Sequence, residues 1–108
     1  SAYTASKHGL VGLTKVVALE TAKDNITCNS ICPGFVLTEL IQDKIDSVAK
    51  KKKVSNKKAE LELLREKQPS LEFVKKEDIA SMIYFLSQDS ANQITGANIP
   101  IDGAWTSQ

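Results

Sequence analysis

The sequence predicts an α/β fold in which two short strands share a parallel sheet and about four helices pack around it. Three observations carry that prediction. Residues 4–22 repeat apolar side chains at helical spacing, Ile26 to Cys32 and Ala97 to Ile101 are rich in β-branched and small residues, and the stretch between those runs is again helical in its periodicity. A connection that long is no hairpin, so the two strands are expected to be joined by a helical crossover, as parallel neighbours are. With 108 residues, 42% of them hydrophobic and 25% charged, the chain has the length and composition of one ordinary globular domain.

The first helix, expected from about Thr4 to Ala22, spreads Leu10, Val11, Leu13, Val16, Val17 and Leu19 around much of its circumference, so it should be covered on more than one side. Ala5, Gly9 and Gly12 form a stripe of small residues, and two glycines in a helix cost roughly 1 kcal/mol each against alanine. Close approach by another backbone would explain them. At the start of this helix Tyr3 and Lys7 stand at positions i and i+4, which share one face. A free phenol is a poor base at neutral pH, whereas an ammonium beside it favours the phenolate and brings it into use as a general acid or base. An exposed pair with the same spacing does no chemistry by itself. His8 falls at i+5 from Tyr3 and is read as a packing or surface residue.

Lys23-Asp24-Asn25 closes the helix, Ile26 to Cys32 reads as a strand, and Pro33-Gly34 stops it. Ligands on open α/β sheets bind beyond the carboxyl ends of strands, which is where Pro33 to Thr38 lies. Glycine lets backbone come close to a flat ring there, so free loop amides could meet a carboxamide. An ordinary strand-ending turn has the same appearance. Cys28 and Cys32, four apart on a strand and hence about 13 Å from each other, are too distant for a disulfide and are expected as small buried residues. One histidine and no second cysteine pair give no structural zinc site.

Residues 38–68 carry nine basic and six acidic side chains, with Lys50 to Lys53 and Lys57-Lys58 as runs. The apolar residues among them keep helical spacing, Ile41, Ile45 and Val48 on one helix and Leu61 and Leu64 on another, divided near Val54-Ser55-Asn56. The lysines are then the wet faces of two amphipathic helices, and no aromatic residue is interleaved for base stacking. Lys76 to Ser87 reads as a further helix with Ile79, Met82, Ile83 and Leu86 toward the sheet. After a turn at Gln93 to Gly96, Ala97, Ile99 and Ile101 alternate as the last strand, which Pro100 assigns to a sheet edge. A net charge of +1 supplies no field to gather nucleic acid or an anionic membrane, and no apolar run approaches the ~20 residues that cross a bilayer. A soluble cytoplasmic protein is the default expectation.

Taken together, Tyr3-Thr4-Ala5-Ser6-Lys7 followed by Gly9, then Pro33-Gly34-Phe35-Val36-Leu37-Thr38, then Ile101-Asp102-Gly103 resemble, in order, the C-terminal portion of the short-chain dehydrogenase/reductase family. The resemblance implies the C-terminal part of a Rossmann-like doubly wound parallel sheet, incomplete as a domain, spanning residues 1–108. It implies NAD as cofactor, Tyr3 and Lys7 as catalytic residues that also touch the cofactor, and Pro33, Gly34, Val36 and Thr38 as further cofactor contacts. The Val36 backbone would hold the nicotinamide carboxamide. It also implies a homo-oligomer, a tetramer, packed through the first helix, and a mobile helical pair covering the substrate.

A narrower resemblance, carried by Glu66-Lys67-Gln68-Pro69-Ser70-Leu71-Glu72-Phe73-Val74 and by Asp102 to Trp105, is to members that oxidise a small hydroxy acid. It implies Trp105 as a wall of the substrate pocket. The glutamine that it places six residues after Thr38 is Lys44, which can still hold a carboxylate as a point charge. Ala104 replaces the second glycine of the usual Asp-Gly-Gly ending and should crowd the backbone. The family's Gly-rich cofactor turn, its catalytic serine, its asparagine, the acidic residue that selects NAD and the lysine three places before the tyrosine are not in this sequence. The isolated chain is therefore expected to be inactive and marginally stable. The alternative is a non-catalytic remnant or assembly module that binds through the first helix, and a basic helical binding module is a third reading.

Overall fold

A computed structural model describes residues 1–108. Four helices, α1 (Ala2–Thr21), α2 (Glu39–Lys52), α3 (Asn56–Arg65) and α4 (Lys76–Leu86), accompany two strands, β1 (Ser30–Pro33) and β2 (Asn98–Ile101). The strands form a two-stranded sheet. The Ser30 amide donates to Ala97 and the Gly34 amide to Ile101, both at 2.9 Å, so the register advances equally along both strands and they run parallel. The chain is thus the expected α/β part of a Rossmann-like domain, and it resolves into two compact units, Ser1–Cys32 with Ala80–Ile99 and Pro33–Ile79 with Pro100–Gln108.

In the first unit, α1 is helical from Ala2, two residues earlier than its apolar pattern, and Asn25 closes it in the left-handed region at φ 57°. Its inner face is short: Thr14 and Ala18 are buried, and the Thr14 hydroxyl donates to the Leu10 carbonyl. Leu10, Leu13, Val16 and Leu19 are half or more exposed, and Gly9 and Gly12 face open space. The expected cover on several sides is not supplied by this chain. The strand expected from Ile26 begins only at Ser30, and the residues just before it are tied to the 94–97 segment mainly by side chains, with one backbone bond from the Gly96 amide to the Cys28 carbonyl at 2.7 Å. The Cys28 amide donates to the Thr95 hydroxyl, and the Asn29 side chain donates to the Ile94 carbonyl while accepting from the Ala97 amide. Cys28 and Cys32 are free thiols and only half-buried, and Cys32 Sγ lies 2.8 Å from the Asn98 side-chain oxygen. On α4 the expected inward row is partial: Met82 and Leu86 are half-buried, whereas Ile83 is 56% exposed.

In the second unit, α2 and α3 pack as a helical pair around Ile45, Ala49 and Ala59, with Ile41, Val48, Val54, Leu63 and Phe73 against them. Thr38 and Ser55 cap the two helices by accepting from the Ile41 and Lys58 amides. Lys53 ends α2 at φ 53°, and the next amide, Val54, reaches back to the Ala49 carbonyl at 3.0 Å, so a lysine stands where glycine would be unstrained. The lysine runs at Lys50–Lys53 and Lys57-Lys58 are all exposed, as the amphipathic reading requires. One exposed ion pair, Lys52 to Glu62 at 3.2 Å, crosses from α2 to α3.

Lys53→Gly should relieve the left-handed strain and raise unfolding free energy by about 1 kcal/mol, whereas Ile45→Ala should lower it by about 2–5 kcal/mol. Urea melts of the protein carrying these residues, monitored by helical circular dichroism, check both signs.

Candidate functional site

In the first unit, the helical turn places the Lys7 ammonium over the Tyr3 ring, 5.2 Å from its centroid. The charge therefore meets the π face of the ring as a cation–π contact as well as lying on the same side of α1 as the phenol. Tyr3 is 73% exposed, so its hydroxyl is free to meet a bound molecule. The neighbouring polar side chains are turned to the helix itself: the Ser6 hydroxyl donates to the Tyr3 carbonyl, and His8 Nδ1 lies 2.9 Å from the Thr4 carbonyl. That satisfies His8 locally and leaves Tyr3 and Lys7 as the groups of this turn that are available for chemistry.

In the second unit, the Pro33–Thr38 loop is held group by group. The Gly34 amide donates to the Ile101 carbonyl at 2.9 Å, the Phe35 carbonyl accepts from Val74 at 2.8 Å, and the Val36 carbonyl accepts from Thr38 at 2.9 Å. Val36 forms a parallel bridge with Val74. The Val36 N–H itself donates to nothing in the chain. A Cβ on Gly34 would stand 2.9 Å from the Asp102 Cα and against the Gln68 side-chain oxygen, so only glycine fits between those two segments. An uncommitted amide donor suits the oxygen of a carboxamide, so the Val36 N–H fits a nicotinamide end, while the space beside Gly34 is taken by Gln68 and Asp102 of this chain. The Thr38 hydroxyl oxygen accepts the Ile41 amide as the cap of α2, which leaves its own hydrogen to donate outward.

The C-terminal turn is built on Asp102, whose carboxylate accepts from the Ala104 amide at 3.1 Å, the Thr106 amide at 3.0 Å and the Thr106 hydroxyl at 2.8 Å. The Thr106 hydroxyl, and after it these backbone amides, hold the Asp102 carboxyl below the ordinary carboxylate value against the opposing effect of burial. Ala104 takes φ 74°, in the left-handed region where the second glycine would be unstrained. The turn brings Trp105 against Phe35, ring centroids 5.2 Å apart and tilted by 34°, with the Lys67 ammonium 5.3 Å from the tryptophan ring centre. Trp105 thus stands beside the Pro33–Thr38 loop. Lys44 lines the hollow between α2 and α3, about 190 Å³, together with Val48, Lys52 and Glu62.

Gln68 is a site-forming residue that pattern reading passed over. It is 1% exposed, its carbonyl oxygen accepts from the Phe35 amide at 2.8 Å, and its amide nitrogen donates to the Glu72 carbonyl. Its only signal in the sequence was its place within the 66–74 stretch.

A family model described as enoyl-(acyl carrier protein) reductase matches residues 1–106. The chain belongs to the short-chain dehydrogenase/reductase family. Within that family it is similar to the D-beta-hydroxybutyrate dehydrogenase of Cupriavidus necator, 47% identical over 108 residues, which is 100% of this chain and 42% of the relative. Among solved structures, a short chain dehydrogenase family protein of Francisella tularensis superposes with a TM-score of 0.84 at 36% identity, over 99% of this chain and 44% of that one. A 4-hydroxyisoleucine dehydrogenase complexed with NADH matches with a TM-score of 0.81 at 40% identity, over 99% of this chain and 40% of that one. The chain therefore spans less than half the length of these family members.

Because the Asp102 pKa is lowered on folding, its contribution to stability is complete above the unfolded-state value of about 3.9 and is lost as pH falls through the lower folded-state value. Emission from Trp105, the single tryptophan, should accordingly stay constant from neutral pH down to about 4 and shift only below it. In Asp102→Asn the shifted emission should already be present at neutral pH.

Proposed function

We propose that this chain supplies the proton-transfer residues and the nicotinamide-side loop of an NAD-dependent oxidoreductase acting on 3-hydroxybutyrate or a similar small hydroxy acid. In this reading residues 1–108 are the C-terminal part of a single short-chain dehydrogenase/reductase domain, and the dinucleotide-binding half lies outside them. The observation that carries it is the pairing of an exposed phenol with an ammonium on one face of α1. The 47% identity to a D-beta-hydroxybutyrate dehydrogenase supports the substrate class, and likeness to a dehydrogenase complexed with NADH supports the cofactor.

Tyr3 takes the proton of the substrate hydroxyl through its phenolic oxygen, and Lys7, whose ammonium lies over the ring, binds the ribose hydroxyls. The Val36 amide and the Thr38 hydroxyl hold the carboxamide end, with Pro33 and Gly34 shaping the approach. Trp105 walls the substrate side, and Lys44 is the further candidate for the substrate carboxylate. NAD, when bound, would supply the acceptor for the hydride of the carbinol carbon, so that the alcohol becomes a ketone as its proton passes to the Tyr3 oxygen.

In the protein carrying these residues, Tyr3→Phe should lower kcat for NAD-linked oxidation of 3-hydroxybutyrate by about 10²–10⁴-fold, and Lys7→Met should lower it and raise KM for NAD together. Steady-state kinetics decide; full activity in Tyr3→Phe would remove the phenol from the reaction.

A second reading, association of copies through α1, is favoured by the exposed row Leu10, Leu13, Val16 and Leu19 beside the open Gly9 and Gly12. It agrees with a homo-oligomer and does not compete with the dehydrogenase reading. Leu13→Glu should shift the sedimentation coefficient to that of a smaller species, and an unchanged coefficient would contradict it.

A further inference from the structure

We infer that Gln68 is a positioning residue for the nicotinamide-side loop, its buried carboxamide fixing Phe35 so that the neighbouring Val36 N–H is presented to a bound carboxamide. The inference rests on the cofactor reading above, and it adds a residue and a device to it. Gln68 is 1% exposed and both ends of its amide are used. Its oxygen accepts from the Phe35 N–H at 2.8 Å, and its nitrogen donates to the Glu72 carbonyl. The orientation of the amide is fixed by its partners, since a backbone N–H only donates and a carbonyl only accepts.

Two segments far apart in sequence are thereby clamped to one planar group. The 72–74 segment holds the loop a second time, through the Val74 amide on the Phe35 carbonyl at 2.8 Å. Phe35 is bound at both its N–H and its carbonyl, and Val36 at its carbonyl, so the Val36 N–H, which has no partner in the chain, is carried by a peptide segment whose neighbouring groups are fixed. A donor held this way needs no reordering when it meets its acceptor. The space for the Gln68 oxygen exists because Gly34 has no side chain, and Gly103 likewise leaves room 2.7 Å from the Gln68 Cγ. Those two glycines and the glutamine are one steric unit. Leucine at 68 would fill similar volume but leave the Phe35 N–H and the Glu72 carbonyl unpaired. Glutamate would keep the first bond and set its second oxygen against the Glu72 carbonyl unless protonated.

The test is made on the protein carrying these residues, with Gln68→Leu and Gln68→Glu. NADH affinity is followed by fluorescence titration and amide exchange at 35–37 by mass spectrometry. Gln68→Leu should weaken NADH binding by about tenfold or more and speed exchange at 35–37, with KM for the hydroxy acid within about twofold of the unaltered protein. Gln68→Glu should bind NADH as weakly as the leucine variant at about pH 8 and recover to within about threefold of the unaltered protein near pH 5.5, where the carboxyl can donate to Glu72. Unchanged NADH affinity in folded Gln68→Leu, with only its melting temperature lowered, would overturn the positioning role. If that variant fails to fold, a Gln68→Glu protein whose NADH affinity shows no recovery at the lower pH overturns it instead. Absence of NADH binding by the unaltered protein would contradict the dehydrogenase reading and this inference together, whereas normal binding there with unchanged affinity in the variants contradicts only the role of Gln68.

Discussion

The second unit depends on one buried amide. Gln68 is the point where the loop after β1 and the segment after α3 are tied together, and the C-terminal turn closes beside it through Gly103. Removing a partner from a buried polar group exposes the full penalty of the one left behind, so the arrangement is an all-or-none constraint. Gly34, Gly103 and the left-handed Ala104 follow from it and from the Asp102 turn next to it. The Phe35–Trp105 stack then sets a large aromatic surface beside a loop in which the Val36 amide is uncommitted.

The first unit answers to a simpler rule, the spacing of an α-helix. Tyr3 and Lys7 come together because four residues make slightly more than one turn, and this is why the pair was legible before any coordinates. The helical pair α2–α3 was legible for the same reason: Ile45 and Ala49 recur on one face, and the surrounding lysines, having no aromatic neighbours, went to solvent. The approximate places of α4 and β2 followed from periodicity as well.

What was not legible depends on contacts between residues remote in sequence. Ile26 to Asn29 has strand-like composition, yet Thr95 and Asn29 side chains supply most of the bonds there, beside a single backbone bond from Gly96 to Cys28. Gln68 bonds a residue 33 positions away, which no local pattern announces. Asp102 was visible only as part of a dipeptide, whereas its work is to gather the amides of the closing turn. The apolar circumference of α1 led to the expectation of cover on more than one side, whereas Leu10, Leu13, Val16 and Leu19 are exposed in this chain.

The central claim is that an exposed phenol paired with an ammonium serves the removal of a proton while hydride leaves the adjacent carbon. The most direct measurement gives the protein carrying these residues 3-hydroxybutyrate with deuterium on its carbinol carbon, together with NAD, and follows the label by mass spectrometry. The account predicts deuterium in the reduced nicotinamide ring, equimolar ketone, and slower turnover than with unlabelled substrate. Substrate recovered with its label intact, and no reduced nicotinamide, would contradict it.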